Sequence, residues 1–318
     1  MTSHPSKAVG GSEEVPKEHK ILLLGLENAG KSTVLKQLRI LYSGGFSDEE
    51  RDTYREVVYD TLLNDAHTII DALKQGEEGY PNQALVDEIT NYRIQNPFEL
   101  VLTEEIVDAL RRFWEEPTVQ KVAEENAASS FLKEVQRIGS QDYLPTDMDI
   151  LRARQKSPGI TETRCSLDDI PLHVISLEGP DHEWSQYAKD VETIIFCTSL
   201  SDYDRMKEGR NLLAESIELF GSIVNAKCFS GARVCIFMNK IDEFKEKIHR
   251  VPFSQHFPEY TFEQDTNKAA KFILWKMMQT NKAKLSIYPH LTEATDATMI
   301  KHVFDAVKEI MERKQATY

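Results

Sequence analysis

A nine-residue stretch, "GLENAGKST", combines glycines, a lysine and hydroxyl groups at a spacing suited to binding phosphate. Gly25, Gly30, Lys31 and Ser32 satisfy the pattern G-x-x-x-x-G-K-[ST]. In such a loop, backbone amides cradle phosphates, the lysine bridges phosphate oxygens and the hydroxyl ligates Mg²⁺. The stretch therefore predicts a nucleotide-phosphate site, but it does not distinguish ATP from GTP. The predicted contacts are Gly25, Glu27, Asn28, Ala29, Gly30, Lys31, Ser32 and Thr33, with Ser32 as a metal ligand.

A second stretch, "NKID", follows the apolar run "ARVCIF" after one residue, Met238, and carries residues that can read a purine base. Asp242 can accept hydrogen bonds from the N1–H and 2-amino groups of guanine, whereas adenine lacks that amino group. Sites built on buried hydrogen bonds reject such analogues by factors on the order of 10⁴. The stretch therefore predicts guanine binding, with Asn239 and Lys240 bracing the loop. A P-loop kinase or ATPase fits less well, because "NKID" would then lack a purpose.

Both stretches follow apolar runs, which predicts that a sheet positions them. "KILLLG" reads as a strand before the first loop, and "KSTVLKQLRILY" reads as a helix after it. Further along, "VETIIFCTSL", "ARVCIFMNK" and "LSIYPHLTEAT" alternate with helical stretches over 207–228, 266–280 and 298–314. This alternation is typical of an α/β fold with a mostly parallel sheet covered by helices.

A long block between these elements has helical periodicity and almost no strand-like alternation. Its first helix is predicted to line one face with Tyr54, Val57, Val58, Thr61, Leu62, Ile69 and Leu73. The block is bracketed by "SGG" and "YLPTD", which indicates an all-helical insert. The predicted boundaries are a flexible tail over 1–19, a sheet domain over 20–45 and 149–318, and the insert over 46–148.

Composition limits the classes of partner. A formal net charge of -14 disfavours nonspecific attraction to nucleic acid or anionic lipid. No apolar run reaches the roughly 18 residues that a membrane span needs, and the first residues lack a signal-peptide core. A cytoplasmic protein is expected. The cysteines are interpreted as reduced core thiols rather than metal ligands or disulfides, and they are Cys165, Cys197, Cys228 and Cys235.

Over most of residues 20–313 the chain resembles the heterotrimeric G-protein α subunits. The resemblance rests on "KILLLG", "AGKSTVLKQLRI", "YLPTDMDILRARQKSPGITET", "TIIFCTSLSDYD", "FMNKIDEFKEKI" and "TEATDATMIKHVFDAVKEI". It implies a Ras-like GTPase domain with an all-helical insert, which binds GTP or GDP with Mg²⁺. It also implies receptor, effector and βγ-dimer partners.

The same resemblance implies roles for individual residues. Leu151 and Arg152 would lie beside the nucleoside, and Ala294 of "TEAT" would offer its backbone amide to guanine O6. Arg154 would be an internal arginine finger, a guanidinium that stabilises charge on a transferring phosphoryl group. Without the family pattern, Arg154 reads as a solvated linker charge.

Departures from the family pattern concentrate where hydrolysis is managed. In switch I the magnesium-binding threonine is replaced by Ser157, which precedes Pro158. In switch II, Ser176 replaces an aspartate that holds Mg²⁺ through water, and Glu178 replaces a glycine. Gly179 remains, but the next residue is Pro180 instead of the glutamine that orients the attacking water. We therefore expect slow or impaired hydrolysis.

Further expectations concern this region, the first loop and the ends of the chain. One alternative is a pseudo-GTPase that holds nucleotide and signals only through protein contacts, and another is that His182 positions the water. In the first loop, Glu27 is expected to point away from the phosphates. Position 2 is Thr2 and no lipidation signal is present, so any location at the inner face of the plasma membrane would come through partners. The ends also lack the family's docking helix and receptor tail, which puts βγ and receptor contacts in question.

Overall fold

The computed structural model describes residues 18–75, 82–93, 101–125, 131–155, 159–178 and 184–315. Several predicted positions lie outside these ranges, namely most of the 1–19 tail together with Ser157, Pro158, Gly179, Pro180 and His182.

A six-stranded sheet forms the centre of the α/β part. The strands in chain order are β1 His19–Leu24, β2 Ile160–Leu167, β3 Ile170–Leu177, β4 Thr193–Ser199, β5 Met206–Lys207, β6 Arg210–Asn211, β7 Arg233–Asn239 and β8 Ile287–Leu291. The spatial order is β2-β3-β1-β4-β7-β8, while β5 and β6 form a separate hairpin. β2 pairs with β3 in antiparallel fashion, and every other pair in the large sheet is parallel. The carboxyl ends of β1, β3, β4, β7 and β8 therefore meet at one edge.

Helices cover both faces of this sheet and also build a second region. In chain order they are α1 Lys31–Tyr42, α2 Asp48–Gln75, α3 Gln83–Asn91, α4 Glu104–Glu115, α5 Pro117–Glu125, α6 Val135–Ile138, α7 Asp147–Arg152, α8 Trp184–Tyr187, α9 Leu212–Val224, α10 Ile241–Lys247, α11 Phe253–His256, α12 Thr266–Thr280 and α13 Ala297–Gln315. Short 3₁₀ turns occur at Leu132–Glu134, Leu200–Asp204 and Lys227–Phe229.

Alternation along β1 assigns its side chains to two hydrophobic cores. Ile21 and Leu23 pack with residues of α1 and α13 on one face. Leu22 and Leu24 pack with residues of α9 and α12 on the other face. Because both faces are covered, the strand is a continuous apolar run, as a central parallel strand requires.

A third hydrophobic core lies in the helical region. The predicted apolar face of α2 is buried at Val58, Leu62, Ile69 and Leu73, and these residues share a core with α3 to α6. Phe113 and Phe131 are fully buried in the same core. This region is the helical insert of a Ras-like fold, with α2 leading away from α1 and α7 leading back toward the sheet.

The helix predicted over 207–228 is shorter than expected. Residues 206–211 form the β5–β6 hairpin, whose turn places Glu208 at φ 51° and Gly209 at φ 79°. Such left-handed geometry stops a helix from starting here. α9 begins only at Leu212, where the Asn211 side chain accepts a hydrogen bond from the Ala214 amide at 3.0 Å.

The cysteines are free thiols, but one of them is not a core residue. Cys197 and Cys235 are buried in the sheet, and burial raises the pKa of each thiol to about 12. Cys165 is half-buried. Cys228 is exposed, contrary to the prediction, because it lies in the 3₁₀ turn after α9 rather than inside a strand. Across the ranges that the structure describes, no helix is both long and apolar enough to span a membrane.

Candidate nucleotide-binding site

The loop between β1 and α1 is held so closely that two of its positions must be glycine. Gly25 has φ 141° and Gly30 has φ 99°, both in the region that side chains disfavour. A Cβ on Gly25 would lie 2.2 Å from the Cys197 carbonyl oxygen of β4. A Cβ on Gly30 would lie 2.1 Å from Nδ2 of Asn239. The spacing of the glycines therefore reflects close packing of the loop on β4 and on "NKID".

Lys31 opens α1 and turns back over the loop. Its side chain is almost fully buried, and Nζ donates to the carbonyl oxygens of Gly25 at 2.9 Å and Leu26 at 2.8 Å. Ser32 follows and is exposed at the helix N-terminus. The Thr33 hydroxyl donates to the Leu151 carbonyl oxygen at 3.4 Å. The loop thus presents a buried cation beside the positive end of a helix dipole, an arrangement that attracts phosphate.

Two polar residues at the tip of the loop are exposed to solvent. Glu27 and Asn28 are exposed, and Asn28 adopts a left-handed conformation at φ 61°. The Glu27 carboxylate lies 3.6 Å from Nζ of Lys207 in the β5–β6 hairpin. Ala29, by contrast, is buried beneath the loop. The acidic residue is therefore directed to the hairpin rather than toward Lys31.

Asn239 connects three loops at the sheet edge. It is 2% exposed at the end of β7, and its Nδ2 donates to the Ala29 carbonyl oxygen at 3.0 Å. Its Oδ1 accepts from the Thr292 hydroxyl at 3.2 Å and from the Ala294 amide at 3.0 Å. The Ala294 amide, which the resemblance directs at guanine O6, is thus bonded to Asn239 in this structure. The bracing role expected of Asn239 has a direct geometric basis.

The next residues of "NKID" form the start of α10. Lys240 has φ 59°, and its Nζ lies 3.8 Å from the Glu243 carboxylate. Asp242 is exposed, yet partial desolvation in the site, followed by the negative charge of Glu243, raises its pKa. Desolvation and then Asp242 itself raise the pKa of Glu293 in the "TEAT" loop. Glu293 is a neighbour of Asp242 that the sequence reasoning missed, although it lies within the quoted motif.

Arg154, the expected arginine finger, contacts the helical insert. Its Nη1 lies 3.0 Å from Oδ1 of Asp65, and its backbone amide donates to the Thr61 hydroxyl at 3.0 Å. Asp65 is fully buried on α2, and burial raises its pKa to about 6 although Arg154 opposes the shift. Sequence reasoning missed Asp65. The sequence did offer a signal for a buried charge here, because Asp65 lies between Leu62 and Ile69 on the apolar face of a helix.

A buried lysine joins α1 to the segment that carries Arg154. Nζ of Lys36 donates to the carbonyl oxygens of Ile150 at 2.8 Å and Ala153 at 3.0 Å. Burial lowers its pKa to about 8. Leu151 is buried beside this contact, and Arg152 pairs with Glu134 of the insert at 3.2 Å. The segment 149–155 is therefore tied both to the phosphate loop helix and to the insert.

The end of β3 brings an acidic residue to the phosphate loop. Ser176 is buried in β3 and pairs in register with Leu23 of β1. The Glu178 amide donates to the Gly159 carbonyl oxygen at 2.7 Å. The Glu178 carboxylate lies 3.0 Å from Nζ of Lys31. Sequence reasoning identified Glu178 as a departure from the family but did not find this ion pair.

A cavity of about 280 Å³ lies beside this ion pair. Trp184 on one side of it stacks on Phe229 with ring centroids 5.3 Å apart. Six of the residues that line the cavity are Gly25, Leu177, Glu178, Trp184, Leu219 and Ile223. The cavity is lined by residues of α8, of α9 and of the phosphate loop, and its lining is about half polar and half apolar.

The fold and the site together define a class of protein. A phosphate loop follows β1, "NKID" follows β7, and a helical region is inserted between α1 and β2. This combination is that of a Ras-like P-loop protein with a helical insert.

Comparison with known proteins identifies the family within that class. A sequence model described as "G-protein alpha subunit" matches residues 4–311. A "Guanine nucleotide-binding protein subunit alpha" of Cryptococcus neoformans is 40% identical over 309 residues, which is 92% of this chain and 72% of that protein. An alpha-3 subunit of Ustilago hordei is 41% identical, covering 94% of this chain and 89% of that protein. An alpha-2 subunit of Saccharomyces cerevisiae is 38% identical, covering 97% and 74% respectively. The chain belongs to the G-protein alpha subunit family.

Proposed function

We propose that this member of the family is a signal transducer that holds GDP or GTP at the sheet edge and hydrolyses GTP slowly. One observation carries the proposal. Asn239 joins the phosphate loop, through Ala29, to the "TEAT" loop, through Ala294, which supports one site that would bind both phosphates and base. Such a connection is expected where a single ligand spans both loops.

Individual contacts follow from this placement. The phosphates would contact the loop from Gly25 to Gly30, with Lys31 and the first turn of α1 supplying positive charge. Asp242 would accept from guanine N1–H and the 2-amino group. Leu151 and Arg152 would lie beside the nucleoside. Further proposed contacts are Glu27, Asn28, Ala29, Ser32, Thr33, Ser157, Gly179, Lys240 and Ala294, mostly through main-chain or hydroxyl groups.

Magnesium fits this site with fewer charged protein ligands than the family pattern supplies. The exposed Ser32 hydroxyl at the start of α1 is suitable as one ligand. Ser176 offers a neutral hydroxyl where the family pattern has a carboxylate. Within the described residues, no group of three or more His, Cys, Asp or Glu side chains is placed to hold a metal. Mg²⁺ would therefore be held by Ser32, by Ser157, and by phosphate oxygens and water.

Slow hydrolysis is supported by the position of Arg154. A guanidinium stabilises a transferring phosphoryl group only when it is directed at that group. Here the Arg154 side chain pairs with Asp65, a fully buried carboxylate of the insert. Turning the guanidinium from Asp65 toward a phosphate would break this contact, and the cost of breaking it would raise the barrier.

A second candidate function is a module that holds nucleotide and signals only through protein contacts. The ion pair between Lys31 and Glu178 favours it, because the lysine that would contact the terminal phosphate already has an anionic partner. In either case we propose a receptor, an effector and a βγ dimer as partners, and a cytoplasmic location. The names of the relatives mention guanine nucleotide and no receptor or effector.

Phosphate release from GTP-loaded protein in a single turnover, with Mg²⁺ present, tests the proposal. We expect slow release that falls by about 10³-fold or more in Arg154→Ala. Arg164→Ala is the matched control, because Arg164 is an exposed arginine of β2 that pairs with Glu18. Release unchanged in Arg154→Ala would refute the finger, and His182→Ala would then show whether that histidine positions water. GTP that loads and stays intact would favour the second candidate.

A further inference from the structure

The Lys31 ammonium has three hydrogen-bond donors, and three acceptors surround it. Two are the carbonyl oxygens of Gly25 and Leu26, at 2.9 and 2.8 Å. The third is the Glu178 carboxylate at 3.0 Å. The lysine of a phosphate loop normally reaches the β- and γ-phosphates of a bound nucleotide. In this chain the Glu178 carboxylate accepts the hydrogen bond from Lys31 that a phosphate oxygen would otherwise accept.

The surroundings of the pair make it stronger than a surface salt bridge. The Lys31 side chain is 1% exposed and the Glu178 side chain is 19% exposed. Opposite charges interact more strongly when water is largely excluded, and removing one partner leaves the other charge buried without compensation. A ligand oxygen that takes the place of Glu178 must therefore replace its charge as well as its hydrogen bond.

The backbone fixes Glu178 in this position. Leu177 is the last residue of β3, and the Glu178 amide immediately after it donates to the Gly159 carbonyl oxygen at 2.7 Å. β3 is in turn paired with β1 in the register that leads into the phosphate loop. The carboxylate is thus presented from a strand end, where a glycine would present no side chain.

We propose that Glu178 is a specificity-determining residue that occupies the γ-phosphate contact of Lys31, so that the protein binds GDP in preference to GTP. The inference rests on the proposed function, since it needs guanine nucleotide at this loop. GDP ends at the β-phosphate, and an oxygen of that phosphate would replace one of the two carbonyl contacts of Lys31 and leave its pair with Glu178 in place. GTP must displace the carboxylate and bring a second anion next to it, and like charges at short range repel.

The proposal differs from a simple neutralising role for Glu178. If the carboxylate only balanced the Lys31 charge until any phosphate arrived, it would compete equally with GDP and GTP. Removing the carboxylate would then increase the affinity for GDP and for GTP by the same factor. Under the proposal, removing the carboxylate increases the affinity for GTP and leaves the affinity for GDP unchanged.

Equilibrium titration distinguishes these cases. We would measure dissociation constants for GDP and for guanosine 5′-(β,γ-imido)triphosphate, with Mg²⁺, in the unaltered protein and in two variants. Glu178→Gln keeps the size of the side chain and removes its charge, while Glu178→Gly removes the side chain. Glu162→Gln, on the exposed face of β2, is the matched control.

We expect the unaltered protein and Glu162→Gln to bind GDP roughly tenfold or more tightly than the imido analogue. Glu178→Gln and Glu178→Gly should bind the analogue about tenfold more tightly than the unaltered protein does, with GDP affinity changed by less than about twofold. Equal affinities in the unaltered protein, or equal gains for both nucleotides, would overturn this inference alone. Absence of binding by either nucleotide in every variant would overturn the proposed function and this inference with it.

Discussion

The guanidinium of Arg154 lies 3.0 Å from the carboxylate of Asp65, a fully buried residue in the core of the helical insert. This ion pair connects the segment that returns to the sheet with α2 of the insert. It also engages one nitrogen, Nη1, of the side chain that the family pattern implies as an arginine finger. The same contact therefore links the stability of the insert to the chemistry proposed for the phosphate loop.

Asp65 makes stability depend on pH in a defined direction. Its pKa in the folded protein is raised to about 6, above the value of about 3.9 for an unfolded chain. Its contribution is fully present below pH about 4 and is lost as pH rises through about 6. We expect the unaltered protein to lose about 2 kcal/mol more unfolding free energy between pH 4 and 7 than Asp65→Asn does. Urea denaturation of both proteins at several pH values measures this difference. Equal pH slopes would contradict it.

Lys36 is expected to hold the segment 149–155 on α1. Replacing it in Lys36→Met keeps the apolar stem but leaves the Ile150 and Ala153 carbonyl oxygens without their donor. We expect a loss of about 1–3 kcal/mol in unfolding free energy. Lys74→Met, at an exposed position near the end of α2, serves as the control and should change stability by less than about 0.5 kcal/mol. Similar losses in both variants would show that the hydrogen bonds of Lys36 do not stabilise the protein more than an exposed lysine does.

Asn239 is expected to be needed for nucleotide binding rather than for folding alone. In Asn239→Asp the carboxylate cannot donate to the Ala29 carbonyl oxygen, and two acceptors then face each other about 3 Å apart. We expect GDP affinity to fall by about 10²-fold or more. Titration of labelled GDP tests this, with circular dichroism to confirm folding. Asn64→Asp, on the exposed side of α2, is the control, and a matching loss there would argue against the bracing role.

Asp242 is expected to select the base through its acceptors. In Asp242→Asn the side-chain NH₂ is a donor and would face the N1–H and 2-amino donors of guanine. Xanthine carries a carbonyl in place of the 2-amino group, and this carbonyl can accept from the same NH₂. We expect GDP to bind at least about 10²-fold more weakly to this variant, while xanthosine diphosphate binds more tightly than it does to the unaltered protein. Competition titrations with both diphosphates measure the exchange. If GDP affinity were retained, Asp242 would not be the base-reading residue.

Local patterns in the sequence predicted much of the fold. Apolar runs gave β1 and β7, and helical periodicity gave α12 with the bounds found in the structure, Thr266–Thr280. The hairpin at 206–211 was missed because its turn depends on Glu208 and Gly209, two residues inside an otherwise helical pattern. Local turn chemistry decided the structure there.

The contacts of the candidate site were less accessible to sequence reasoning. The glycine and lysine spacing predicted the phosphate loop, because those residue types are required locally. The ion pairs Lys31–Glu178 and Arg154–Asp65 join residues that lie far apart in the sequence. Such pairs depend on how β3 lies beside β1 and how the insert folds back, which no short pattern encodes. Residue type alone could show only that Glu178 was unusual.

Calorimetric titration of the unaltered protein with GDP and, separately, with ADP is the most direct test of guanine-nucleotide binding at this site. Base reading by Asp242, beside the loops that Asn239 connects, predicts that GDP binds at least about 10³-fold more tightly than ADP. Equal affinities would contradict base selection by "NKID". If neither GDP nor ADP gave a heat of binding, the assignment of this edge of the sheet as a nucleotide site would be contradicted.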